Sequence, residues 1–119
     1  MASASEREAP HDGPVTIINV FEVPSGQVDK FIAWWRVRAE IMAAAPGFRD
    51  SRLHRAVSSQ ARFQVVNLAH WDSQAAHDAA SGATQDHVRA LREDPEMRVS
   101  ASPAAYEVVA ELGGPSDTA

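Results

Sequence analysis

The sequence predicts one α+β domain in the order β-α-β-β-α-β, with a four-stranded antiparallel sheet and its helices on one face. Three observations carry this. Residues 15–23, 62–71 and 104–112 alternate with the period of two that half-buried strands require. Residues 27–45 repeat apolar side chains at i, i+3 and i+4, as a helix with a buried face does. A chain of 119 residues is one domain, long enough to bury a core without staples.

Residues 1–13 are small, polar and charged, with Pro10 and Gly13, and read as a disordered arm. The domain spans 14–112, and residues 113–119 read as a flexible tail. In the first strand, Val15 to Val23, one face carries Val15, Ile17, Asn19, Phe21 and Val23. Asn19 stands out there, because Asn is depleted in strands. Pro24-Ser25-Gly26 turns the chain into a helix from Gln27 to Ala45. Val28, Phe31, Ile32, Trp35 and Met42 form one stripe, and Trp34, Val37 and Ile41 a second beside it. A surface this wide fits a helix that covers a sheet and also walls a pocket. Pro46-Gly47 ends it.

Ser51 to Val57 reads as the second strand, and Ser58-Ser59-Gln60 as the turn of an antiparallel hairpin. Arg52, His54, Arg55 and Arg62 cluster there, as a solvated edge or as the seat of an acidic ligand. The third strand, 62–71, puts Phe63, Val65, Asn67, Ala69 and Trp71 on one face and Gln64, Val66, Leu68 and His70 on the other. Asn67 is the second mid-strand Asn on an apolar face. A buried amide without partners costs about 1–3 kcal/mol. It lies ~13 Å from Trp71 along the strand, so the two can line one cavity. Ser73 caps a short helix over 74–80, Ser81-Gly82 breaks it, and 84–92 follows with Val88 and Leu91 inward. Pro95 and Pro103 bracket a loop with the position of a lid. The last strand runs from Ala104 to Leu112, with Tyr106, Val108, Ala110 and Leu112 on one face.

This order is the ferredoxin-like split βαβ arrangement. The sheet face carrying Ile18, Val20, Val66 and Leu68 is too apolar for water. The simplest cover is a second copy, which closes a dimeric α+β barrel about a two-fold axis. The sequence therefore predicts a homodimer through the sheet faces, with Asn19, Asn67 and Trp71 of opposite parity to the partner-facing set.

Composition excludes other classes. The chain has no Cys, which removes disulfides, thiolate nucleophiles and Cys-ligated metals. The formal charge is −5 and the basic residues are scattered, which argues against nucleic acid. No apolar run reaches the ~18 residues of a membrane span. The first residues lack the apolar core of a secretory signal, so the cytoplasm is the default location. The five His residues show no H-x-x-x-H or H-E-x-x-H spacing, so no metal site is predicted.

Four stretches together resemble the antibiotic biosynthesis monooxygenase (ABM) family. They are Val15-Thr-Ile-Ile-Asn-Val-Phe-Glu-Val-Pro-Ser-Gly26, the helix with Trp34-Trp35, Pro46-Gly47-Phe48, and Arg62-Phe63-x-x-x-Asn67-x-x-x-Trp71-x-Ser73. The resemblance covers about residues 14–112. It implies a cofactor-independent monooxygenase of secondary-metabolite biosynthesis, oxidising an anthrone-like aromatic polyketide intermediate to a quinone with O₂ as co-substrate. In such members a first-strand Asn, and an Asn and a Trp four apart on the third strand, are the functional groups. Asn19, Asn67 and Trp71 match those positions. Phe21, Trp34, Trp35, Phe63, His77 and Arg92 are the expected substrate contacts. Other members use a Tyr and an Arg from the second helical region, where this chain offers His77 and Arg92 or Arg89 and no Tyr.

The chemistry asks little of the protein. Triplet O₂ reacts slowly with closed-shell molecules, so the deprotonated substrate must itself donate an electron. The site has to hold a flat ligand, stabilise an oxyanion and exclude water. Neutral amide donors suit this, as does the donor-only indole of Trp71. His54, His70 and His77 are candidate proton carriers. Three alternatives share the fold: a non-oxidative polyketide cyclase or isomerase, a non-catalytic binding or accessory module, and a heme-degrading monooxygenase. The last implies a first-strand Asn, a helix Trp and an iron-ligating helix His. Asn19 fits and His87 falls near the His position, but Ala79-Ala80-Ser81 stands where the Trp would be.

Overall fold

A computed structural model describes residues 13–114. The predicted arm over 1–13 and tail over 113–119 therefore lie, apart from their inner glycines, outside the described residues. The strands are β1 (Val15–Glu22), β2 (Phe48–Arg55), β3 (Val65–Trp71) and β4 (Ser100–Tyr106), in the spatial order β2-β3-β1-β4. All three pairings are antiparallel. A 3₁₀ turn, Ser25–Gln27, leads into α1 (Val28–Ala43), and the second helical region is a pair, α2 (Gln74–Gly82) and α3 (Gln85–Arg92). This is the ferredoxin-like α+β fold.

Alternation sets the two faces of the inner strands. Val15, Ile17 and Phe21 of β1 and Val65, Ala69 and Trp71 of β3 are buried. Ile18, Val20, Val66 and Leu68, on the other face, are half-buried within this chain. The buried apolar residues fall into two clusters: Val15, Ile17, Met42, Ala69, Trp71 and Ala80, and then Phe21, Val23, Val28, Phe31, Val65 and Met97. The division has a simple cause. Asn19 lies between Ile17 and Phe21, Asn67 lies between Val65 and Ala69, and the two asparagines are direct cross-strand partners. A polar rung crosses the core where apolar side chains would otherwise join the halves.

Three elements differ from the sequence-based expectation. β3 begins at Val65 rather than at residue 62. The Gln64 side chain, only 8% exposed, donates to the carbonyls of Ser58 (3.3 Å), Ser59 (3.3 Å) and Ala61 (2.6 Å). It ties the connection into a compact loop and takes Phe63 out of the ladder. β2 begins at Phe48, with Arg49 as an unpaired bulge residue before Asp50. β4 spans Ser100–Tyr106, so the end of the loop expected between Pro95 and Pro103 is strand, with Pro103 paired to Asn19. β4 is an edge strand, which tolerates a missing N–H. Val108, Val109 and Leu112 lie beyond it and are exposed.

The α1–β2 turn is bound to the β3–α2 junction. Asp72 N–H donates to the Gly47 carbonyl at 2.8 Å. Gly47 has φ +89°, and a Cβ there would meet Ala76 Cβ at 2.6 Å, so conformation and space both demand glycine. Ser73 Oγ caps α2, accepting from Ala76 N–H at 3.1 Å.

Candidate active site

The Asn19–Asn67 rung is the floor of a cavity of about 80 Å³ between the sheet, α1 and α2. Cross-strand partners hold their Cβ atoms about 4.5–5.5 Å apart, so the two amides stand side by side. Ser51 Oγ donates to Asn67 Oδ1 at 2.7 Å. That bond engages the acceptor end of the amide and leaves its NH₂ donors for a ligand. Asn19 is complementary: its Oδ1 is buried and receives no hydrogen bond. The rung thus offers a free acceptor beside free donors.

Ser51 reaches the floor because of the bulge. Looping out Arg49 puts Phe48 and Ser51 on the same face as Trp71 and Ala69. Trp71 is 1% exposed and lines the cavity. Phe48 packs edge-on to it at 5.3 Å and 82°, and His77 at 5.6 Å and 82°. Its indole is fixed from two sides. His77 Nδ1 lies 3.0 Å from Asp78 Oδ1.

The wall contains Trp35, Arg38, Ala39 and Met42 of α1. Arg38 donates from Nε to Thr84 Oγ1 at 3.1 Å and from Nη2 to Ser81 Oγ at 3.3 Å. Burial lowers the pKa of its guanidinium from the ordinary arginine value. Thr84, 2% exposed, donates in turn to the Ser81 carbonyl at 2.9 Å. No carboxylate lines this cavity.

Of the residues singled out by sequence, Asn19, Trp35, Asn67, Trp71 and His77 line the cavity, and four do not. Phe21 is in the second core cluster, packed on Phe31 at 4.8 Å. Trp34 stacks on His87 at 4.8 Å and 6° and donates its indole N–H to the His87 carbonyl at 3.2 Å. Phe63 lies in the β2–β3 loop with the Arg62 guanidinium carbon 5.0 Å from its ring centroid. Arg92 is exposed at the end of α3. Among the histidines, His54 is exposed and His70 pairs with Asp50 at 2.6 Å on the helix-free face. His87 donates from Nε2 to the Trp34 carbonyl at 3.1 Å.

Arg38 and Ser51 were not anticipated. Arg38 carried a readable signal: it lies three residues after Trp35 and four before Met42, within the apolar stripe of α1. Ser51 carried none, because an unseen bulge decides which way it faces. Among the described residues no group of three or more His, Asp or Glu is placed to hold a metal ion. No described helix is long and apolar enough to cross a membrane.

A four-stranded ferredoxin-like sheet with an amide rung under a helix-walled cavity defines an α+β protein built to hold a small molecule. Residues 14–94 match the antibiotic biosynthesis monooxygenase family, and the chain belongs to that family. A mycobilin-producing heme oxygenase of Mycobacterium tuberculosis is 32% identical over 106 residues, 89% of this chain and 99% of that protein. A candidate monooxygenase from Shewanella loihica PV-4 superposes with TM-score 0.72 at 31% identity, covering 85% of this chain and 99% of the other. SnoaB, a cofactor-independent oxygenase from Streptomyces nogalater, superposes with TM-score 0.67 at 23% identity over 86% and 99% of the two chains. The protein is thus an oxidoreductase of the monooxygenase class.

Proposed function

We propose that this protein is a cofactor-independent monooxygenase that oxidises an anthrone-like aromatic substrate to a quinone. The carrying observation is the Asn19–Asn67 rung, with one buried acceptor unpartnered and the neighbouring amide held by Ser51. A buried, unpartnered polar atom opposes folding, and a hydroxylated ligand removes that penalty. A substrate hydroxyl donates to Asn19 Oδ1, while the Asn67 NH₂ and the Trp71 indole N–H donate to the oxyanion formed on deprotonation. His77, the titratable group on the cavity wall besides Arg38, takes the proton. The carbanion-enolate then gives an electron to O₂, and the two radicals combine. Loss of water completes the balance: the methylene loses two hydrogens, one oxygen atom becomes the new carbonyl and the other leaves as water. The site's tasks are orientation and water exclusion around these steps.

The relative that degrades heme supports a second reading, and the placement of two residues weighs against it. The Nε2–H of His87 is engaged by the Trp34 carbonyl, and buried Ala80 occupies the core where the heme reading asks for a Trp.

The test is oxygen uptake by chelator-treated protein over a panel of anthrones and hydroxynaphthalenes. Uptake above the uncatalysed rate with a quinone product is expected. Absence of uptake across the panel overturns the reading, and anaerobic turnover transfers it to a cyclase. A second copy over Ile18, Val20, Val66 and Leu68 completes the proposal as a homodimer. Sedimentation is expected at twice the 12.9 kDa chain mass, and a monomer at micromolar concentration refutes that part.

A further inference from the structure

The described arginines divide sharply. Arg38 is partly buried, and every other one is exposed. Several exposed arginines pair with acids: Arg49 with Asp72, Arg55 with Asp29, Arg62 with Glu22 and Arg89 with Asp86. The shielded one meets only neutral hydroxyls, those of Thr84 and Ser81. A guanidinium has five N–H donors and stays charged at any ordinary pH, so two bonds leave three donors without a protein acceptor. Charges removed from water are ordinarily paired. Here the adjoining cavity carries no carboxylate, in a chain whose net charge is −5.

We infer that the substrate is an aromatic carboxylate and that Arg38 binds its carboxylate group. The planar fork of a guanidinium matches the two oxygens of that group. Thr84 and Ser81 position the fork: the Thr84 hydroxyl, committed as donor to the Ser81 carbonyl, is available to Arg38 Nε as acceptor. The enolate oxygen is a different anion, served by Asn67 and Trp71. A fixed charge on the wall calls for a partner present in the ground state, whereas the enolate exists only during turnover. This inference rests on the cavity assigned above as the substrate site, and not on the oxygenation step.

The probes are 1-hydroxy-2-naphthoate and its neutral isostere 1-hydroxy-2-naphthamide, titrated calorimetrically under argon into the full chain. The acid is expected to bind wild type at least about tenfold tighter than the amide, a difference of about 1.4 kcal/mol. Added salt should weaken the acid alone. In Arg38→Gln the preference should vanish, and Arg38→Lys should recover part of it. In turnover of a carboxylated anthrone, Arg38→Gln should raise KM with kcat nearly unchanged, which a merely structural role would not do. Equal affinity of acid and amide in wild type overturns the inference, as does failure of both to bind or an unchanged preference in Arg38→Gln. The wild-type pair needs no variant to fold. An acid preference without oxygen uptake sinks the oxygenase alone; uptake with neutral anthrones and no acid preference sinks this inference alone.

Discussion

Removing the Ser51 hydroxyl tests whether the floor of the site is pre-organised. Ser51 donates to Asn67 Oδ1 at 2.7 Å and so decides which end of the amide faces a ligand. In Ser51→Ala the amide retains its donors and loses its orientation. The net worth of one such bond is about 1 kcal/mol, so kcat should fall about fivefold. Asn67→Ala removes the donors themselves, and loss of an oxyanion donor reduces kcat by about 10²–10³-fold. Because Ser51 acts through Asn67, the double variant should turn over no more slowly than Asn67→Ala alone, giving a coupling energy near the full effect of Ser51→Ala. Oxygen uptake at saturating substrate, with far-UV circular dichroism as a fold check, measures all three. Strict additivity refutes the reasoning, because Ser51 would then act independently of the amide, and so does an unaffected Ser51→Ala.

Asn19→Leu should abolish turnover while raising stability by about 1–2 kcal/mol in urea titrations, since it removes a buried acceptor that receives no hydrogen bond. Trp71→Phe retains the ring between Phe48 and His77 and deletes the N–H, so turnover should drop at least about tenfold; an unchanged rate removes Trp71 from the chemistry. Gly47→Ala should destabilise by about 2–4 kcal/mol in the same titrations, from strain at φ +89° and the collision with Ala76. If hemin binds at all, its Soret band should survive His87→Ala and be lost in His77→Ala, because His77 faces the cavity and His87 is bound to Trp34; the reverse pattern supports the heme-degrading reading.

The parity of β1 and β3 was legible in the sequence because one face of each is buried, and burial pins a strand's alternation. The placement of Asn19, Asn67 and Trp71 on the helix-facing side follows from that alone. What failed were features set by local irregularity or distant contact. Pro103 suggested a loop, but an edge strand accepts it, and the apolar Val108 and Val109 that suggested strand are exposed in this chain. Phe63 continues the alternation of β3, yet three carbonyls draw the neighbouring Gln64 amide into the preceding loop. The Arg49 bulge brings Ser51 beneath Asn67, and period-two counting has no way to see an inserted residue. Arg38 is fixed by Ser81 and Thr84, 43 and 46 positions away, so its isolation from carboxylates emerges only from the fold.

The rung has a consequence for how substrate range can change. Its two amides belong to the inner strands, each flanked by neighbours on both sides, and a one-residue slip of either would turn its amide to the opposite face. Trp35 and Arg38 instead project from a helix, where one substitution alters shape or charge without disturbing a ladder. Mutational libraries restricted to Trp35 and Arg38 should therefore yield folded variants with altered ligand preference. Libraries at positions 19 and 67 should yield folded proteins that have lost the chemistry.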